Sequence, residues 1–118
     1  MDIQYCEDAQ GNSSIKTLIQ DLERRAQSNK QARIQLKQVL CYVEYLEARG
    51  TRIGLPVTEY IRDGIWQLRP GSYRVLFFVW HGQAVLLHAY RKRTNGTPAR
   101  EIDVAKRLIA DWTRQFGP

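Results

Sequence analysis

The stretch Ile65–Pro98 reads IWQLRPGSYRVLFFVWHGQAVLLHAYRKRTNGTP and decides the fold. It holds three runs rich in β-branched and aromatic residues, and these are separated by Pro70-Gly71-Ser72 and by His81-Gly82. Such runs between turn residues are typical of strands that follow one another in a sheet. The stretch therefore predicts a three-stranded meander, with arginines along it and a triple cation where its last strand ends.

Two amphipathic helices precede the meander. The first follows Gly11–Ser14, where serine side chains can cap a helix, and its apolar residues recur at helical spacing as far as Ala26. Ser28 with Gln31 fits a capping box, so we expect a second helix to begin there and to end at Gly50. Together the two patterns predict an αα-hairpin.

The remaining segments complete the predicted order. Ile3–Cys6 alternates in polarity as one short strand does, and Thr51–Asp63 contains a glycine and a proline that indicate a connector. Thr97 and Pro98 suit the N-cap and the first position of a last helix. We expect one domain over residues 1–118, in the α+β class, with the order β-α-α-β-β-β-α and a small, twisted, mainly antiparallel sheet.

Composition limits the kind of protein this is. The chain has 118 residues, of which 43% are hydrophobic and 25% charged, as in ordinary soluble domains. No apolar run approaches the ~20 residues of a membrane helix, and the acidic start Met1-Asp2 is unlike a signal peptide, so we expect a cytoplasmic protein without a membrane partner. Cys6 and Cys41 lack metal-ligand spacing and are expected to be buried free thiols rather than a disulfide.

The charge is unevenly distributed. Residues 1–61 carry eight Lys/Arg and eight Asp/Glu, whereas residues 62–118 carry ten Lys/Arg and four Asp/Glu. The net charge of +6 therefore belongs to the half that contains the meander. A cationic surface attracts polyanions, so nucleic acid or an acidic protein segment is the expected partner.

The sequence also lacks the motifs of several enzyme classes. It has no Gly-rich phosphate loop, no HExxH, no GxSxG and no cluster of carboxylates for Mg²⁺. Metal-dependent hydrolysis and acyl-enzyme chemistry are therefore poorly supported, and we expect no cofactor. Arginine and lysine can themselves neutralise the charge that develops on a phosphate under attack. A cation-rich site of this kind suits phosphodiester cleavage without a metal ion.

Strand alternation selects candidate site residues. Arg74 is in phase with large apolar residues, which places it in a cleft or, alternatively, at the solvent edge of the sheet. The two faces of the last strand carry His88, Tyr90 and Lys92 on one side and Ala89, Arg91 and Arg93 on the other. Each candidate has a structural alternative, because triple cations are often solvated loops and buried Tyr and His residues often serve packing.

Several segments in order resemble the phage-derived HigB-like branch of the RelE/ParE toxin superfamily. They are Gly64–Arg69, Tyr73–Val75, Leu86–Lys92 and Thr97-Pro98 with Glu101, Ile102 and Ala105. The resemblance implies a RelE-like fold and the toxin of a type II toxin–antitoxin pair, which inhibits translation by cleaving messenger RNA on the ribosome. It also implies attack by the RNA 2′-hydroxyl, which leaves a 2′,3′-cyclic phosphate and a 5′-hydroxyl, and a helix-turn-helix antitoxin as partner.

The resemblance also implies roles for individual residues. It assigns catalysis to Arg74 and Lys92, and RNA or phosphate contacts to Arg69, Arg91 and Arg93; Tyr90 and His88 are further catalytic candidates by their chemistry, and family members often have Phe at the position of Tyr90. Arg74 matches the sheet arginine of the family and is expected to contact the scissile phosphate, while Tyr90 and His88 are the candidates for proton transfer. The chain departs from the family at two positions, with Gln67 where an acid is common and Glu59 where a lysine is common.

Two other functions fit the same resemblance. The ParE branch inhibits DNA gyrase by binding, and its phosphate contacts would not form a catalytic site. An inactive remnant that only binds its antitoxin would keep the basic fold without toxicity. Transcript mapping after induction separates the first of these from a ribonuclease, and the absence of growth arrest identifies the second.

Overall fold

The computed structural model describes residues 1–118 and has an α+β fold of five strands and three α-helices. The elements are β1 (Ile3–Tyr5), α1 (Ser14–Ala26), α2 (Lys30–Arg49), a 3-10 turn (Gly50–Ile53), β2 (Thr58–Arg62), β3 (Ile65–Leu68), β4 (Tyr73–Trp80), β5 (Gln83–Arg91) and α3 (Ala99–Phe116). The predicted fold class, the αα-hairpin and the C-terminal helix are confirmed. None of the helices is long and apolar enough to cross a membrane.

The strands form one mixed sheet in the order β1-β5-β4-β3-β2. Strand β1 runs parallel to β5, and every other neighbouring pair is antiparallel, as predicted. Two hairpins close on two-residue turns with positive φ at both positions: Asp63 (54°) and Gly64 (78°), and His81 (50°) and Gly82 (74°). This conformation matches the twist of the strands that it joins.

The prediction of a connector over residues 51–63 is wrong in part, because five of its residues form the edge strand β2. Thr58 pairs with Leu68 and Tyr60 with Trp66, and the register shifts between Tyr60 and Arg62. This bulge breaks the alternation of polarity that would reveal the strand from its sequence. The observed order is therefore β-α-α-β-β-β-β-α.

Helix α1 starts after a serine cap, as predicted, whereas α2 has a different capping residue from the predicted one. Ser13 caps α1, and its hydroxyl accepts a hydrogen bond from the Lys16 N–H at 3.3 Å. For α2 the capping residue is Asn29 rather than Ser28, because Asn29 Oδ1 accepts from the Ala32 N–H at 3.1 Å. The predicted capping box is therefore wrong by one residue.

Thr97, the predicted N-cap of α3, has a different role in the structure. The helix begins at Ala99 directly after Pro98, and no side chain caps it. Thr97 does not act as the predicted N-cap, and its hydroxyl instead lies 3.4 Å from Gln67 Oε1 in β3, to which it donates. The loop before α3 is thereby joined to the face of the sheet.

The sheet separates two layers of helix. Helices α1 and α2 cover one face, where their side chains pack with Leu68, Val75, Phe77, Ala84, Leu86 and Ala89. Helix α3 covers the other face, where Ile102, Ala105 and Trp112 pack with Cys6, Ile65, Leu76, Phe78, Val85 and Leu87. Both cysteines are free thiols, as predicted; Cys6 is buried, but Cys41 is partly exposed, so its predicted burial is wrong.

A bulge in β5 changes the phase of the strand that leads to the site. Leu76 pairs with His88 and Phe77 with Leu86, so Leu87 is an extra residue. Alternation resumes after it, and Tyr90 packs against the cluster on the α3 side of the sheet. The side chain of Tyr90, near the end of β5, therefore lies on the face of the sheet that α3 covers.

Candidate functional site

A cleft of about 620 Å³ opens on the α3 side of the sheet, beside the loop that precedes α3. It is lined by Glu59, Tyr60, Ile61, Arg62, Gln67, Arg69, Arg74, Lys92, Asn95, Gly96, Thr97, Ala99 and Ile102. Three of the seven residues that sequence analysis nominates, Arg69, Arg74 and Lys92, lie together here. Glu59 is the single acid in the lining.

Arg74 is anchored in the wall of the cleft. The residue is only 7% exposed, and its Nη1 donates to the carbonyls of Gly71 at 2.9 Å and of Tyr73 at 2.7 Å. Burial lowers the pKa of its guanidinium, and the neighbouring charge of Arg69 lowers it further. No carboxylate pairs with this guanidinium. The remaining guanidinium donors are therefore free to bind an anion in the cleft.

Arg69 follows β3 and carries an unsatisfied donor. Its backbone N–H donates to the carbonyl of Val57 at 3.1 Å, which fixes the residue beside β2. Its Nε is buried and has no hydrogen-bond partner, and the side chain forms no salt bridge. Leaving a buried donor unpaired costs about 1–3 kcal/mol, and more for a charged group. An anion bound between Arg69 and Arg74 would satisfy that donor and relieve the repulsion between the two cations.

Lys92 lines the cleft from the loop that directly follows β5. Its backbone N–H donates to the carbonyl of Ser72 at 2.7 Å, so the turn that anchors Arg74 also fixes Lys92. The side chain is exposed and has no carboxylate partner. One turn, residues 70–72, thus positions two of the three unpaired cations, while Arg62, the fourth cation in the lining, lies 3.9 Å from Asp63.

Three polar residues in the lining, Glu59, Gln67 and Thr97, are linked by hydrogen bonds. Glu59 and Gln67 face each other across the β2–β3 pair, and Gln67 Nε2 donates to Glu59 Oε1 at 2.6 Å. Gln67 is 5% exposed, and its Oε1 faces the Thr97 hydroxyl. The amide of Gln67 is therefore held at both ends, and it orients the carboxylate of Glu59.

Tyr90 lies next to one of these residues, Thr97. It does not line the cleft, but it is directly opposite Arg74 in the β4–β5 register. Burial raises the pKa of the Tyr90 phenol above its ordinary value; the neighbouring Thr97 side chain lowers it, the charge of Glu101 raises it and that of Arg74 lowers it. With the net shift upward, the phenol keeps its proton at neutral pH and can donate it.

His88 lies outside the cleft. Its Nδ1 is 3.0 Å from the Ser14 hydroxyl, and its Nε2 is 3.1 Å from Glu101 Oε1. It lines a separate cleft of about 630 Å³ between α1 and α3. Its ring stacks on Tyr90 with centroids 6.0 Å apart and planes at 24°. His88 therefore joins α1, β5 and α3 and supports Tyr90, but the structure does not bring it to the three cations.

Arg91 and Arg93 are exposed beside the cleft and do not line it. Arg91 is the last residue of β5 and pairs with Tyr73, while Arg93 lies in the loop beyond. Neither forms a salt bridge. They extend the positive surface around the end of β5 rather than the cleft itself.

Glu59, Gln67 and Thr97 line the cleft but are not among the predicted site residues. The Asp63-Gly64 pair is a strong hairpin signal that predicts a strand on either side of it. Reading it would have revealed β2, but a regular hairpin would pair Glu59 with Leu68, and only the bulge between Tyr60 and Arg62 brings Glu59 opposite Gln67. The position of Thr97 had no comparable local signal. The structure has no group of three or more His, Cys, Asp or Glu side chains placed to hold a metal ion.

Residues 23–110 match the model of the phage-derived Gp49-like protein family. The chain belongs to this family. The matched range includes the whole cleft, from β2 to the first turn of α3. A sequence comparison with curated proteins finds no significant match.

Two solved structures of Staphylococcus aureus proteins are similar to the chain. One is a YoeB–YefM complex, at 14% identity and a TM-score of 0.49, with 80% of this chain and 98% of that chain covered. The other is the heterotetrameric YoeB–YefM toxin–antitoxin complex, at 13% identity and a TM-score of 0.49, with the same coverage of both chains.

Proposed function

We propose that this protein is a metal-independent endoribonuclease, the toxin of a type II toxin–antitoxin pair in the HigB-like branch. Its substrate is messenger RNA on the ribosome, so it acts in the cytoplasm. The observation that carries the proposal is the cluster of Arg69, Arg74 and Lys92 around one cleft, where no carboxylate forms a salt bridge with any of them. The sequence resemblance to RelE/ParE toxins supports the same function.

The charge and shape of the cluster suit a phosphodiester. Guanidinium groups bind phosphate oxygens through paired N–H donors, and such charge-assisted bonds are about twice as strong as neutral ones. The unpaired Arg69 Nε and the remaining donors of Arg74 supply them, and Lys92 adds a mobile point charge. A phosphate held by three cations becomes more electrophilic, and the charge of its transition state is stabilised.

The proposed reaction is a transesterification. The 2′-oxygen forms a bond to the adjacent phosphorus and loses its proton, and the bond from phosphorus to the 5′-oxygen breaks. The leaving 5′-oxygen takes a proton from the phenol of Tyr90, which lies opposite Arg74. His88 positions Tyr90 by stacking against its ring. The products are a 2′,3′-cyclic phosphate and a 5′-hydroxyl.

Arg91 and Arg93 serve binding in this proposal. Both are exposed and unpaired beside the cleft, in the half of the chain that carries the whole net charge of +6. They contact flanking phosphates of the RNA, and such contacts strengthen binding at low salt through counterion release. The partner in the resting state is a helix-turn-helix antitoxin, which blocks the same positive surface.

Induced expression in bacteria tests the function. We expect growth arrest and, by primer extension, defined cuts within coding sequences; Arg74→Ala and Lys92→Ala abolish both, whereas Lys30→Ala on α2 does not. Circular dichroism of each purified variant verifies the fold. An SOS response with intact transcripts would indicate a gyrase inhibitor instead, and full toxicity of both cleft variants would contradict the site. Absence of any arrest would indicate an inactive remnant.

A further inference from the structure

Glu59 is the one acid among the residues that line the cleft. It lies in the edge strand β2, and its partial exposure leaves the carboxylate accessible from the cleft. A carboxylate in a phosphate site weakens binding, because it repels the ligand that the cations attract. Its presence there is therefore unexplained by RNA binding alone.

The carboxylate is oriented but not neutralised. Gln67 Nε2 holds Glu59 Oε1 at 2.6 Å, while Oε2 has no hydrogen-bond partner in the protein. No lysine or arginine forms a salt bridge with Glu59, although Arg69 and Arg74 line the same cleft. One oxygen is thus fixed and the other is available to accept a proton.

The support for this orientation comes from a buried group. Gln67 is 5% exposed, and its amide oxygen faces the Thr97 hydroxyl while its amide nitrogen faces Glu59. Rotating the amide by 180° would place its oxygen against the carboxylate and lose the bond to Glu59, whereas the Thr97 hydroxyl could still accept from the amide. The arrangement therefore holds the carboxylate in one orientation before any substrate binds, which is what a general base requires.

We propose that Glu59 is the general base that takes the proton from the attacking 2′-hydroxyl. This step rests on the endoribonuclease function proposed above. The 2′-O–H bond breaks as the 2′-O–P bond forms, and the proton passes to Glu59 Oε2. At the other end of the reaction the 5′-oxygen leaves with the proton of Tyr90. Glu59 and Tyr90 then return to their starting states by exchanging protons with water.

Glu59→Gln keeps the size of the side chain and removes the base. We expect single-turnover cleavage of ribosome-bound messenger RNA to slow by about 10²–10⁴-fold. Binding of an RNA with a 2′-deoxy nucleotide at the cleavage site, which cannot react, should become tighter because a negative charge is lost from the cleft. Glu59→Lys should tighten that binding further and cleave no faster than Glu59→Gln. Glu44→Gln, on the exposed face of α2, is the matched control and should change neither property.

Chemical rescue separates a base from a structural residue. Glu59→Ala should regain part of its cleavage rate in acetate or formate, whereas Arg74→Ala should not, because a small carboxylate can replace a base but not a cation. The proposal is overturned if wild type cleaves and Glu59→Gln cleaves at the same rate, or if neither carboxylate restores Glu59→Ala. If wild type itself cleaves no RNA, the endoribonuclease function falls, and the role of Glu59 falls with it.

Discussion

Arg74 Nη1 donates a 2.9 Å hydrogen bond to the carbonyl of Gly71, three residues before it in the turn that joins β3 to β4. Gly71 has a positive φ of 59°, a conformation that residues with a Cβ adopt only at a cost. A Cβ there would also lie 2.5 Å from Gln38 Oε1, which a flexible side chain can relieve by moving. The conformation of this turn therefore decides where the guanidinium lies.

Gly71→Ala should impair RNA binding more than it impairs folding. We expect a loss of about 1–2 kcal/mol in the free energy of unfolding, from the strained φ, and a clear loss of affinity for 2′-deoxy-substituted RNA because the anchor of Arg74 shifts. Gly82→Ala is the matched control, since Gly82 also has a positive φ of 74° but lies in the β4–β5 turn. Urea denaturation and fluorescence anisotropy measure the two effects. Equal loss of RNA affinity in both variants would contradict the anchoring role.

Arg69→Met should stabilise the free protein while it weakens RNA binding. The change removes a buried Nε that has no partner and a cation that depresses the pKa of Arg74. We expect a gain of up to about 1–3 kcal/mol in the free energy of unfolding in a phosphate-free buffer, and a loss of RNA affinity of roughly tenfold to a hundredfold. Thermal unfolding and anisotropy measure both. A destabilised variant with unchanged RNA affinity would show that Arg69 serves the fold alone.

His88→Ala should act mainly on stability. It leaves Ser14 and Glu101, whose side chain is 13% exposed, without their hydrogen-bond partner on the histidine ring, so we expect a loss of about 1–3 kcal/mol in the free energy of unfolding. Cleavage by the folded variant should fall less than in Tyr90→Phe. His81→Ala, at the other histidine, is the comparison and should cost less stability. Unchanged stability with abolished cleavage would place His88 in the chemistry itself.

The thiol of Cys6 should not react with thiol reagents while the protein is folded. Burial raises the pKa of its thiol to about 11, and the nearby carboxylates of Asp111, Glu7 and Asp8 raise it as well. The thiol therefore stays protonated at pH 8, and it is only 2% exposed. Titration with Ellman's reagent should find one fast thiol per folded chain, from Cys41, and two after denaturation. Two fast thiols in the folded chain, or one that persists in Cys41→Ser, would contradict this.

The meander was predictable because its signals are local. Three β-rich runs and their turns indicate β3, β4 and β5 directly, and the residues within and just after them include the candidates Arg74 and Lys92. The helical stripes likewise indicate α1, α2 and α3. In each of these elements the pattern of apolar residues agrees with burial in the folded chain, so local and tertiary preferences coincide.

The positions of Glu59 and Thr97 in the site depend on contacts between different segments of the chain, and no single segment of the sequence indicates them. Strand β2 is short, lies at the sheet edge and contains a bulge, so its polarity does not alternate, and Glu59 gains its place only by pairing opposite Gln67. Thr97 has the sequence context of an N-cap, but its hydroxyl bonds to Gln67 across the cleft. A tertiary hydrogen bond of this kind overrides the local preference, and the sequence alone could not reveal it.

The chemistry of the RNA ends tests the central claim most directly. Purified protein and ribosomes programmed with a defined messenger RNA should yield fragments with 2′,3′-cyclic phosphate and 5′-hydroxyl ends, identified by mass spectrometry. The yield of these fragments should persist when EDTA is added after the ribosome complex has assembled, at a concentration lower than that of the magnesium that the ribosome needs. The yield should vanish with Arg74→Ala and with Lys92→Ala. Intact messenger RNA, or fragments with 5′-phosphate ends, would contradict cleavage by 2′-hydroxyl attack at this cleft.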